Sequence, residues 1–385
     1  MRRIVLTLWA AYLVAFPFYV APSGYPQPSS VILVLLIAVL AIRGMRVGSA
    51  AFPVLRAVFW FVLYVTTVSV VWVIVSGRLE MLRAPLFYAY NGVILVVVAA
   101  LYSAYDTALL RYTAAGISFS LFIQVALLPF KLDAVGVREA LFFNNPNQLG
   151  YYAMLAGSAF AAVAFVKGTQ VKVQAAVYAS AGILVLASLS KAAIGAFALL
   201  VCLLVVHRPR YVLLLVAGAA LFSTTELRPE LVARAIQRVR EIGSARDDSF
   251  AGRGYDRLTN HPEYLVLGAG EGAVDRFETE LKEGELHSSW GTLLFSYGAV
   301  GLSLFVAICY RIYSTSGTRL GSVLLPAIVY GLTHQGLRSS MFWVSLGIVW
   351  CAGLHVARLG HDRLESSGGL SPVRSPMAAG SDSIR

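Results

Sequence analysis

The sequence predicts an all-α, polytopic membrane protein of about 12 transmembrane helices, on three observations. Apolar stretches near the roughly 17 to 20 residues that a helix needs to cross a bilayer recur from the N-terminus to position 356. Of the 385 residues 58% are hydrophobic and only 13% charged, against about 25% charged in soluble domains. The basic residues sit mostly in short connections between the apolar runs, where they set topology.

Taken in order, the candidate spans are residues 4–21, 30–42, 57–75, 86–104, 109–128, 148–166, 173–189, 192–206, 211–225, 289–309, 321–334 and 341–357. The Met1-Arg2-Arg3 start resembles a signal peptide, but no small-residue cleavage site follows, so it reads as a retained first helix. Spans 30–42 and 321–334 are short for a full crossing, which leaves them tilted, re-entrant or extended by polar residues. This divides the chain into about nine helices over 1–225, an extramembrane loop at 226–287, further helices over 288–358, and a Ser-, Gly- and Pro-rich tail, 359–385, expected to be disordered. No internal repeat is evident.

With twelve spans, Arg2, Arg3, Arg43, Arg46, Arg56, Lys167, Lys172, Arg208, Arg210, Arg311, Arg319, Arg358 and Arg363 share one side. By the positive-inside rule that side, with both termini, is cytoplasmic, and the long loop is periplasmic in a bacterial inner membrane. The net charge of +11 is therefore topological, and nucleic-acid binding is excluded as a function class. Cys202, Cys309 and Cys351 lie far apart in apolar segments, which excludes a disulfide framework or a metal knuckle. The loop is the acidic exception, with nine Lys or Arg against thirteen Asp or Glu, a net charge of −4. Its first part, 229–242, places Leu231, Val232, Ala235, Ile236 and Val239 on one helical stripe, an amphipathic interfacial pattern.

Polar residues that such a chain gathers on one side are the functional candidates, because desolvating them is costly unless they are paired or line a wet cavity. Four clusters qualify. In Asn144-Asn145-Pro146-Asn147-Gln148, three Asn around a Pro either cap a helix or line a sugar or phosphate site with amides. At Ser188-Leu189-Ser190-Lys191, the lysine either snorkels to the interface or anchors a phosphate. The run from Gly252-Arg253-Gly254-Tyr255-Asp256-Arg257 to Gly268-Ala269-Gly270-Glu271-Gly272 combines glycine with arginine, as an anion loop or a solvated charged segment. Finally, Glu285-Leu286-His287-Ser288-Ser289-Trp290 closes the loop, with Ser288 an N-cap and His287 either part of that cap or a general base.

Read together in this order, with Phe295-Ser296-Tyr297-Gly298-Ala299-Val300-Gly301-Leu302 following, the clusters resemble the O-antigen ligase and O-antigen polymerase superfamily of membrane glycosyltransferases. The resemblance covers about 144–304. It implies a C-type glycosyltransferase-like fold and transfer of a glycan from an undecaprenyl-diphosphate-linked donor to a sugar hydroxyl, without cofactor or metal. By position His287 matches the family's essential histidine and Arg257 its loop arginine, both catalytic, while Arg253, Arg257 and Lys191 would hold the diphosphate. Lys191 stands where the family usually has Arg, which keeps the charge and loses the bidentate fork. Asn144, Asn147, Ser190, Ser288, His334 and Arg338 would line the substrate site, with the loop as a lid.

The acceptor is a lipid-linked repeat unit if the enzyme polymerises O-antigen or exopolysaccharide, and lipid A-core if it is a ligase. Polymerisation is placed ahead because the chain is compact and its charged turn atypical. A chain-length regulator is admitted as a further partner. The reading of another class is a transporter or flippase of lipid-linked glycans, against which stands the near absence of mid-span charge.

Overall fold

The computed structural model describes residues 1–22, 24–131, 138–209, 253–277 and 286–367, with positions 233, 234, 236–238 and 240 between them. Among the described residues there are helices and 3-10 turns but no strand. In chain order the helices are α1 (Arg2–Ala15), α2 (Pro28–Ile42), α3 (Phe52–Ser76), α4 (Arg83–Tyr105), α5 (Thr107–Leu127), α6 (Pro146–Lys167), α7 (Val171–Ser188), α8 (Lys191–His207), α9 (Asp256–Asn260), α10 (Ser289–Gly321), α11 (Leu325–Gly331) and α12 (Ser340–Ser367). Seven of them, α3 to α7, α10 and α12, are long and apolar enough to cross a membrane, and α2 and α8 are apolar but shorter. The chain is a helical membrane protein.

The expected spans fall on these helices except 211–225, which lies outside the described residues, and several differ in extent, α10 running to Gly321 where the span expected ends at 309. α1 stops at Ala15, because Pro17 has no N–H to extend the ladder. Segment 321–334 holds a 3-10 turn and the 7-residue α11, too short to cross. α12 continues to Ser367, so the expected tail begins as helix; positions 368–385 lie outside the described residues. The amphipathic stripe of 229–242 falls largely outside them too. All three cysteines are free thiols.

α6 is the central helix. In its apolar window 89% of residues are buried, against 28% for α3, so α3 faces lipid and α6 does not. Ala153, Ala156, Gly157, Ala159, Ala161 and Ala162 let α5, α7, α8 and α12 approach it closely.

Alternating helix directions give the bundle two unlike ends. At one, the Arg2 guanidinium lies over Tyr105, Arg43 donates to the Tyr105 hydroxyl, Arg358 lies over Tyr102, and Arg208 and Arg319 both pack on Phe165. At the other meet the starts of α6, α8, α10 and α12 and the ends of α3, α7 and α11. Two of these starts carry side-chain caps: Asn145 Oδ1 accepts from Gln148 N at 3.0 Å and Ser288 Oγ from Gly291 N at 3.0 Å.

Candidate functional site

The site is organised by a break in α10. Gly298 takes φ +66° and ψ −175°, outside helical geometry and in the region that favours glycine. In an unbroken helix Ala299 N–H would bond the carbonyl of Phe295. Here it turns to Leu265 O at 2.7 Å, and the carbonyls of Phe295 and Ser296 accept instead from Ala269 N and Gly270 N, each at 2.9 Å. Gly268, with φ +96°, makes the approach possible, since a Cβ on it would lie 2.4 Å from Ser296 O. The loop's remaining carbonyls find partners on α3: Tyr64 donates to Leu267 O at 2.9 Å and Trp72 to Gly268 O at 2.9 Å. Arg276 donates to Ala269 O at 2.7 Å while stacking over Trp72 at 4.9 Å, and its partial burial, with Arg78 nearby, pulls its pKa below the usual arginine value. Segment 264–272 is thus backbone-bonded to the bundle.

Against this seam lies a small recess whose wall carries Arg257, Glu271 and Arg338 beside Leu286, Thr292 and Gln335. Arg257 is 2% exposed and Glu271 5%, a depth at which charged groups occur only when paired or hydrogen-bonded. For Glu271 the partners are explicit. Its Oε1 accepts from Arg338 Nε at 2.9 Å and Nη2 at 2.6 Å, and its Oε2 from the hydroxyls of Tyr297 at 3.0 Å and Tyr88 at 3.2 Å.

His287, exposed, directly follows the recess residue Leu286. Its backbone N–H donates to Arg253 O at 3.0 Å, and Arg253 Nη1 donates to Thr333 O at 2.6 Å. Ser288 Oγ donates to Gly331 O at 3.2 Å and Ser289 Oγ to His334 O at 3.0 Å. Arg253, His287, Ser288 and His334 therefore share one turn after α11.

A second group adjoins it. The Tyr330 hydroxyl donates to Asn147 O at 3.2 Å, while the Tyr330 ring stacks on Tyr151 at 4.1 Å and lies 5.0 Å from the His334 ring. Arg138 donates to Asn147 Oδ1 at 2.6 Å and to Ser188 O at 3.4 Å, tying the Asn-Pro-Asn turn to the Ser188–Lys191 turn. In that turn Leu189 is held at φ 46°, a left-handed conformation that costs a non-glycine residue about 1 kcal/mol or more. Ser190 is buried and Lys191 half-buried; Asn144 is exposed.

All ten sequence-predicted residues thus lie at one end of the bundle, in two adjoining groups. The expected diphosphate trio does not share a recess: Arg257 lies with Arg338, Arg253 is turned to the Thr333 carbonyl, and Lys191 belongs to the Asn147 group. Sequence reasoning assigned no role to Glu271, Tyr88, Tyr297 or Arg138. A lone carboxylate inside Gly268-Ala269-Gly270-Glu271-Gly272 was the available signal for Glu271, whereas its partner is 67 positions away. Compared with known proteins, the chain matches no family model and no curated protein.

Proposed function

We propose that this chain is an integral-membrane glycosyltransferase that moves a glycan from an undecaprenyl-diphosphate carrier to a sugar hydroxyl, polymerising O-antigen or exopolysaccharide repeat units. The observation that carries the reading is the recess at the end of the bundle away from the basic cluster. It holds buried Arg257 and half-buried Arg338, and exposed His287 directly follows Leu286, one of its lining residues. The ordered motifs that resemble the O-antigen ligase and polymerase superfamily support the same reading. By the positive-inside rule the arginine-rich end faces the cytoplasm and the site faces the periplasm.

In the proposed reaction the acceptor hydroxyl oxygen attacks the anomeric carbon of the donor as His287 takes its proton. The bond from that carbon to the phosphate oxygen breaks with inversion, and the electron pair leaves with the lipid diphosphate. Fixed cations beside the leaving group stabilise the developing charge, a contribution of typically 10²- to 10³-fold per positioned group. Imidazole suits the base because its ordinary pKa lies near neutral pH.

Purified protein in detergent, given a lipid-diphosphate glycan and an acceptor, is expected to form the longer glycan at the same rate with and without a chelator. No product in either condition sinks the transferase reading, and a chelator-sensitive reaction sinks the metal-free mechanism. A deletion strain separates the acceptors. Single-repeat products mark a polymerase, and full-length lipid-linked chains lacking attachment to lipid A-core mark a ligase.

A further inference from the structure

We infer that Arg338 is the second cation of an anion site around Arg257, and that Glu271 is the residue that positions it. Only the identification of the anion as a lipid diphosphate rests on the transferase reading above.

The geometry divides the two roles. Both Nε and Nη2 of Arg338 point at one carboxylate oxygen, Oε1 of Glu271, which fixes the plane of the guanidinium. The other oxygen is occupied by the Tyr88 and Tyr297 hydroxyls, so both carboxylate oxygens already accept two donors each. Glu271 is 5% exposed while the Arg338 side chain is 29% exposed, which leaves the arginine the member of the pair that an entering ligand meets. Arg338 is braced twice more: Asn91 Nδ2 donates to its carbonyl at 3.4 Å, and its guanidinium lies 5.8 Å from the Phe87 ring centroid. Glu271 is itself immobilised, since Gly270 beside it is hydrogen-bonded to Ser296 in the break of α10. Arg338 and Arg257 share the recess wall, and two guanidinium groups there match the several oxygens of a diphosphate.

A carboxylate this close to an anion site also opposes the anion electrostatically, and the two effects predict opposite signs. If Glu271 positions Arg338, Glu271→Gln weakens the site; if it only competes with the anion, the same substitution tightens it. The test is titration calorimetry of the full-length protein in detergent with farnesyl diphosphate and, separately, inorganic pyrophosphate. Expected are about tenfold weaker binding in Glu271→Gln and near wild-type affinity in Glu271→Asp. Because removing one member of a buried pair is destabilising, Arg338→Lys is measured in parallel. It keeps both charges and loses the fork, and is expected to weaken binding about tenfold. Similar affinity for both probes assigns the site to the diphosphate alone; preference for farnesyl diphosphate adds the lipid; both outcomes support the roles given.

Wild-type affinity in Arg338→Lys, tighter binding in Glu271→Gln, or no binding of either probe to the wild type overturns the inference. In the transfer assay kcat/KM for the donor should fall about tenfold or more in Arg338→Lys, because a cation on the leaving diphosphate acts on the developing charge as well as on the bound donor. Turnover by the wild type with unaltered variants leaves the transferase reading standing and removes this one. Arg338-dependent binding without turnover does the reverse.

Discussion

On the proposed reading, His287→Ala is expected to lower glycan transfer by about 10²- to 10⁴-fold, as when a positioned base is removed, while the protein still folds and inserts. The second half of this expectation follows from where the residue sits. Its side chain is exposed, and its N–H to Arg253 O bond uses backbone, which alanine retains. The adjoining cap also stays, because it depends on Ser288 Oγ and Gly291 N. A structural role would instead lower abundance and thermal stability together with activity. The measurement is the initial rate with purified lipid-linked donor, set beside the melting temperature in detergent and polysaccharide length in cells. Normal polysaccharide length from the variant removes His287 from the chemistry.

Gly298→Ala is expected to be the most damaging small substitution in the described chain. A Cβ at Gly298 would stand 2.1 Å from Val266 O and 2.6 Å from Leu267 N, both backbone atoms that no rotamer change can clear. Relief requires pushing segment 264–272 away from α10, which breaks the Ala299–Leu265, Ala269–Phe295 and Gly270–Ser296 hydrogen bonds. At about 0.5 to 1.5 kcal/mol net for each bond, plus about 1 kcal/mol for a positive φ, a loss of about 3 kcal/mol or more follows. Gly317→Ala is the internal control. It has a similar φ of +69°, but nothing lies within 4 Å of its Cβ, so it bears the backbone cost alone. Thermal unfolding in detergent compares them directly. Equal destabilisation would mean that the close approach at Gly298 contributes nothing.

The fold was legible in the sequence where a single physical rule dominated. Hydrophobic length located the helices, and charge in the short connections anticipated the basic end formed by Arg2, Arg43, Arg208, Arg319 and Arg358. The capping turns at Asn145 and Ser288 were legible because local side-chain to backbone bonds need only a few neighbouring residues. What stayed hidden depends on distant pairs. The sequence Phe295 to Leu302 reads as uninterrupted helix, since glycine is common in membrane helices and only the approach of Val266 reveals that Gly298 must leave helical geometry. Likewise Tyr88 reads as one more aromatic in a span until Glu271 reaches its hydroxyl. Among the predicted residues, Arg257 and Arg338 share the recess, whereas Lys191, assigned to the diphosphate through the resemblance, lies in the turn that Arg138 ties to Asn147.

The interlocking of α10 with segment 264–272 also sets a timescale. Amides in surface loops exchange their hydrogens through small local openings, whereas those bonded into the core of a fold wait for larger cooperative ones. Ala269 and Gly270 lie in a stretch that by sequence is loop, yet their N–H groups complete the broken ladder of a transmembrane helix. In deuterium they should exchange about as slowly as the amides of α10 itself. Glu271, next to Gly270 in the chain, is then expected to move with that helix, on its slower clock.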